Sequence, residues 1–142
     1  MNISFNFLAP VTLNKRRDLK AHIKRMFELE QKHGGQLNFI FCSDDYLLDI
    51  NRTYLNHNYF TDIITFDLSQ SNSNLIEGEI YISIDTVRSN AEQFHTTPNH
   101  ELHRVIFHGV LHLLGYNDKT TAQQQLMTTK EDFYLNLYFG VS

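Results

Sequence analysis

Two histidines stand four residues apart in the segment ELHRVIFHGVLHLLGYNDK, residues 101–119. At 3.6 residues per turn, a helix puts His108 and His112 on one face, roughly 6 Å apart along the axis. Two imidazoles so placed can grip one metal ion from a single rigid element. Leu102, Val105, Ile106, Val110, Leu111 and Leu114 make this helix apolar on nearly every side, the pattern of a buried helix. Buried imidazoles need a partner, because an unpaired buried polar group costs about 1–3 kcal/mol. Gly109, between them, costs about 1 kcal/mol against Ala in a helix interior. Such a glycine makes sense where another backbone or a substrate must come close.

The third ligand is the open question. Gly115 ends the helix, Tyr116 and Asn117 turn the chain, and Asp118 can then fold back toward the open side of the pair. Three protein ligands with one free position describe a catalytic metal rather than a structural one. A plainer reading also fits: both histidines are core residues bonded to carbonyls, and Asp118 caps the next helix. Metalloprotease helices carry a glutamate general base directly after the first histidine. Gly109 occupies that place, which weakens a protease reading. Glu101 lies on the His108 stripe, but two turns earlier, about 10 Å along the axis. It reads as solvated, or as support behind the ligands, rather than as the base.

The elements that must hold this segment follow from periodicity. Ile3, Phe5 and Phe7 alternate with polar neighbours, as in a half-buried strand. A helix is predicted from Thr12 or Asn14 to about His33, stopped by Gly34-Gly35, with Leu19, Ile23, Met26 and Phe27 inward. Arg17, Lys20 and Lys24 fall on another face, either solvated or in contact with phosphate. Leu37 to Cys42 is a strand. Ser43 caps a helix carrying Leu47, Leu48, Ile50 and Tyr54. Asp62–Phe66 and Glu79–Ile84 are strands, and SQSNSN between them is a loop. Asp85 caps a helix to about Phe94, and Pro98 opens the histidine helix. A last helix starts at Thr120 or Thr121 and runs to about Tyr138. This order predicts an α/β (α+β) fold: a mixed sheet of about four strands covered by helices, with the histidine helix buried.

Composition sets limits. The 142 residues make one domain, 1–142, long enough to bury roughly 68% of the unfolded surface. Twelve Lys and Arg against sixteen Asp and Glu exclude a globally basic nucleic-acid coat, though not a local basic patch. Cys42 is the only cysteine, so an intrachain disulfide framework and a cysteine-rich zinc cluster are excluded. It reads as a small buried hydrophobe. No apolar run approaches the ~18 residues of a membrane span. The N-terminal basic cluster follows the apolar stretch, the wrong order for a signal peptide. The expectation is a cytoplasmic protein without a membrane partner. His95 and His100 read as polar loop or helix-start residues, and His103 points away from the His108/His112 stripe. Tyr59 and Phe60, in a loop, could stack on a base.

HGVLHLLGYND resembles the signature helix HGxLHLxGYDH of the YbeY family of endoribonucleases, also called rRNA maturation factors. Asn51-Arg52-Thr53-Tyr54, followed by Thr61-Asp62-Ile63-Ile64-Thr65-Phe66, is similar to the family's LN-x-x-Y-R…PTDVLSF block. Gly78-Glu79-Ile80-Tyr81-Ile82-Ser83 is similar to its GDIxIS strand. Three motifs in the right order cover nearly the whole chain. The resemblance implies a zincin-like mixed sheet and one zinc ion per chain. It also implies cleavage of single-stranded RNA, in maturation of small-subunit rRNA ends and in ribosome quality control. The expected partners are rRNA and the ribosome or its proteins.

By this resemblance His108 and His112 take two ligand positions of a three-histidine site, and the third histidine is replaced by Asp118. A carboxylate oxygen binds zinc at about 2.0–2.2 Å. The family's Arg falls on Leu55 and its Pro on Phe60. Arg52 and His57 lie close in sequence to the missing Arg but read as ordinary surface residues. The alternative to an enzyme is a ribosome-assembly factor that binds rRNA, with a largely structural metal. The missing Arg and general-base Glu speak for that alternative.

Overall fold

The computed structural model describes residues 1–140. Its elements are β1 (Asn2–Phe7), α1 (Arg16–Leu29), β2 (His33–Cys42), α2 (Asp44–Leu55), β3 (Ile63–Asp67), β4 (Leu75–Ser83), α3 (Ile84–Gln93), α4 (Pro98–Leu113) and α5 (Thr121–Phe139). The sheet order is β1-β2-β4-β3. β1, β2 and β4 run parallel, and β3 is antiparallel to β4. Parallel pairs require covered faces, and β2 accordingly ends in an almost unbroken buried run, Phe39 to Cys42. The period of two sorts its side chains. Leu37, Phe39 and Phe41 join the main core with Ile80, Ile82 and the α1, α4 and α5 residues. Cys42 joins Leu47, Ile50 and Ile64 under α2 on the other face. This is the mixed, helix-covered sheet expected from the element order.

Local differences have local causes. α1 ends at Leu29, not at the two glycines. Gln31 takes a left-handed φ of 57°, and Lys32 N–H donates to Phe27 O at 2.9 Å, which closes the helix early. Gly34 and Gly35 belong to β2, at a register shift against β4. β4 begins at Leu75, four residues before the predicted Glu79, because β2 extends back to pair His33 with Leu75. Ser83, not Asp85, caps α3, accepting from Thr86 N–H at 3.3 Å. On α2, Asn51 is buried with Leu47, Leu48 and Ile50, while Tyr54 is exposed. Thr120 opens α5 with a complete capping box. Among the described residues no helix is long and apolar enough to cross a membrane.

α4 lies on the sheet against β3 and β4. Gly109 lets it come that close: a Cβ there would meet Ile63 Cδ1 at 2.8 Å and Ile80 Cγ2 at 2.9 Å. The close neighbours are sheet side chains, not the backbone or substrate that the sequence suggested.

Candidate metal centre

α4 starts at Thr97, whose hydroxyl accepts from His100 N–H at 3.1 Å, with Pro98 at its first position. It ends where Gly115 adopts φ 109°, and Tyr116 N–H donates back to Leu111 O at 3.0 Å. This turn returns Asp118 to the histidine face. His108 Nε2 lies 2.9 Å from His112 Nε2 and 3.4 Å from Asp118 Oδ2, and His112 Nε2 lies 3.3 Å from that same oxygen. Bonds of about 2.0–2.1 Å in a tetrahedron give ligand separations of about 3.3 Å. The triangle therefore has the size a zinc ion needs, and its two nitrogens and one carboxylate oxygen are competent zinc donors. Among the described residues these three are the group of His, Cys, Asp or Glu whose ligand atoms converge.

The histidines are half-buried rather than buried, with side chains 21% and 26% exposed. They open on a cleft of about 500 Å³ lined also by Tyr59, Asp62, Thr65 and Asp67. One side of the triangle is thus accessible, as a catalytic site requires.

A carboxylate fixes the orientation of His108. Glu131 on α5 accepts from His108 Nδ1 at 2.6 Å, and its other oxygen accepts from Arg104 at 2.8 Å. With Nδ1 carrying the proton, the Nε2 lone pair points at the cleft, the arrangement of carboxylate–histidine–metal triads. Burial pushes the His108 pKa down, but the Glu131 hydrogen bond and charge, with Asp62 and Asp118, outweigh it and hold the pKa above its ordinary value. His112 goes the other way: burial and then the neighbouring His108 charge lower it. A second support acts on the loop. Tyr116, two residues before Asp118, donates to Glu30 at the end of α1, which also receives Tyr134 and Lys130.

Asp62, at the start of β3, lines the cleft beside the histidines. Burial raises its carboxyl pKa, against the opposing pull of His108. Glu101 is buried, not solvated, and burial raises its carboxyl too. Arg52 is committed to Asn58 at 2.6 Å and faces Asp49 at 4.0 Å. His57 accepts from or donates to Tyr59 OH at 2.9 Å, with the two rings stacked. Neither Arg52 nor His57 is among the cleft-lining residues, and among the described residues no arginine lines this cleft. Tyr59 borders the cleft, while its main chain is held by buried Asn51, whose Nδ2 donates to Tyr59 O at 2.8 Å. His95 is exposed, His100 stacks on Phe139, and His103 is buried away from the site with Nδ1 on Asn99 O at 2.6 Å. Cys42 is fully buried, and burial pushes its thiol up to about 11.

Sequence reasoning missed Glu131 and Asp62. The Glu131 signal was available: Met127, Glu131, Tyr134 and Leu135 follow helical spacing and form the buried stripe of α5. A carboxylate on such a stripe requires a partner. Asp62 carries no comparable pattern.

The fold and this triangle define a mixed α/β protein with a candidate metal centre at the C-terminal end of a buried helix. A family model described as "Endoribonuclease YbeY" matches residues 10–138. An endoribonuclease YbeY of Cytophaga hutchinsonii is 49% identical over 125 residues, covering 88% of this chain and 87% of that protein. One of Flavobacterium psychrophilum is 44% identical over 136 residues, covering 96% of each. The solution structure of TM1509 from Thermotoga maritima superposes with a TM-score of 0.63 at 26% identity, covering 99% of this chain and 90% of that one. The chain belongs to the endoribonuclease YbeY family.

Proposed function

We propose that the protein is a zinc-dependent endoribonuclease that cuts single-stranded RNA in the cytoplasm. Its substrates are rRNA precursors, cut in maturation of small-subunit rRNA ends and in ribosome quality control, and one domain, 1–142, carries the activity. Family membership supports the reaction class. The observation that carries the site is the His108–His112–Asp118 triangle, zinc-sized and open to a cleft.

His108, His112 and Asp118 would hold the ion. Zinc, when bound, supplies Lewis-acid polarisation of a phosphoryl oxygen and an activated water. The rest falls to the chain's own residues. Glu131 and Arg104 keep His108 in one tautomer and orientation. Asp118 brings a negative charge where the family pattern has a neutral imidazole. Asp62 faces the cleft with a carboxyl that burial disposes to keep a proton, the property of a group that takes and returns one. Tyr59 offers an aromatic face at the cleft edge, on which an unpaired base can stack.

The test is cleavage of single-stranded RNA by purified protein, before and after chelation and with zinc restored, alongside His112→Ala. The expected result is cleavage lost in the chelated protein and in the variant, with the fold preserved by circular dichroism, and regained with zinc in the wild type. Cleavage that survives His112→Ala sinks the metal mechanism. A variant that unfolds outright makes the metal structural and favours the assembly-factor alternative.

A further inference from the structure

Half of the chain's twelve Lys and Arg lie between residues 15 and 25. Lys15, Arg16, Arg17, Lys20, Lys24 and Arg25 stand there against one acid, Asp18, so this stretch carries +5 in a chain of −4. The buried stripe of α1, Leu19, His22, Ile23, Met26 and Phe27, takes the inner face and leaves the charges outside. Arg16, Lys20 and Lys24 follow i, i+4, i+8 spacing, a row with steps of about 6 Å. Ala21 keeps the floor low, and Arg16, Arg17, Lys20 and Lys24 bound a trough of about 390 Å³.

Like charges at i, i+4 are destabilising, by about 0.2–0.5 kcal/mol a pair. The chain has sixteen acids, yet among the described residues none pairs with these four. Two of the charges instead rest on aromatic rings of edge strand β1. The Arg16 guanidinium lies 4.5 Å from the Phe7 centroid and Lys20 Nζ lies 5.6 Å from that of Phe5. Both rings are only half-buried. Phe7 stacks on Phe41 at 5.2 Å and carries Arg16 over its ring, so the rings seat the cations rather than offer a face to a base. A fixed basic row without acid partners is the element that tracks the phosphates of a nucleic-acid strand.

The row flanks β1 at one edge of the sheet, whereas the metal cleft is lined by β3 at the other. Three strand spacings separate those edges, about 14 Å. We propose that the α1 row, seated on the β1 rings, forms a phosphate track for single-stranded RNA, separate from the metal cleft, which holds the distal part of a long substrate. This rests on the endoribonuclease reading for its choice of nucleic acid.

The test compares Lys20→Gln/Lys24→Gln with a control of equal charge, Lys32→Gln/Arg88→Gln, in the zinc-loaded protein. Cleavage is followed on single-stranded RNAs of about 3 nucleotides, too short to bridge the two edges, and of about 30 nucleotides. Binding is followed over a salt series with single-stranded DNAs of the same lengths, chosen as analogues without the 2′-hydroxyl, and with polyglutamate as the acidic-protein probe. The expected result is a lower kcat/KM for the long RNA alone. The salt slope for the long DNA should flatten by about 1.4, two phosphate contacts at about 0.7 each. The control variant should leave both unchanged. Equal losses in both variants would reduce the effect to net charge and overturn the track. So would equal losses on short and long strands, or loss of polyglutamate binding with nucleic-acid binding intact. If no variant cuts RNA but the salt slope still flattens selectively, the track stands and the endoribonuclease reading falls.

Discussion

Glu131 and His108 meet at 2.6 Å across the α4–α5 interface, and Arg104, one turn before His108 on its own helix, grips the other Glu131 oxygen. The carboxylate is thereby buried, paired and aimed at once. The candidate ligand imidazole inherits its direction from a residue on another helix.

Glu131→Gln keeps the shape of that contact and removes its charge. Zinc affinity should fall about 10- to 100-fold, the usual consequence of losing a partner behind a ligand. Competition with a chromophoric chelator measures it. Unchanged affinity would mean that Glu131 only stabilises the helix pair.

Asp118 separates this chain from its family's pattern. Asp118→His should keep the metal and Asp118→Ala should lose much of it, since two histidines on one helix leave the ion under-coordinated. Acid should release zinc from Asp118→His at somewhat higher pH than from the natural protein. A third imidazole must shed a proton near 6.5, whereas an aspartate is ionised above about 4. Occupancy against pH for all three proteins decides it, and identical curves for wild type and Asp118→Ala remove Asp118 from the ligand set.

Asp62→Asn should leave zinc content unchanged and slow RNA cleavage by about 10²–10⁴, the range for a lost proton-transfer group. Single-turnover rates with metal analysis on the same sample test this. A normal rate would leave Asp62 as a cleft wall.

His22 should make the fold acid-sensitive. Burial lowers its pKa from 6.5 to about 4, with Arg25 and His103 adding to the effect. The unfolded chain therefore binds the extra proton first as pH falls. Stability is fully present above about 6.5 and is lost as pH drops toward about 4, by up to about 3 kcal/mol at 1.36 per pH unit. Urea unfolding across that window should show the slope, and His22→Phe should flatten it. A parallel slope in the variant would assign the acid loss to other groups.

Much of this was written where periodicity is strong. The α4 stripe, the Thr97-Pro98 start and the Gly115 stop put both histidines on one face before any coordinates. Asp118 could be placed only as a residue able to return. What periodicity does not carry is pairing across elements. The Glu131 contact joins residues 23 apart, and the Glu30–Tyr116 contact residues 86 apart. Helix ends misled for the same reason. Gly34 and Gly35 have the residue type of a stop, but β2 needs them for its pairing with β4. Gly109 was conspicuous from the start, while the two isoleucines that require it come from two different strands.

The chain order has a consequence for biogenesis. Translation delivers the N-terminus first, and all four strands are complete at Ser83, before either histidine of the pair at 108 and 112 exists. Asp118 follows, and Glu131, which aims His108, comes later still. A nascent chain thus acquires its candidate metal ligands only after the strands of its sheet are made. The strands of the sheet can pair with no candidate ligand yet made, and the carboxylate that aims His108 arrives after all three ligands.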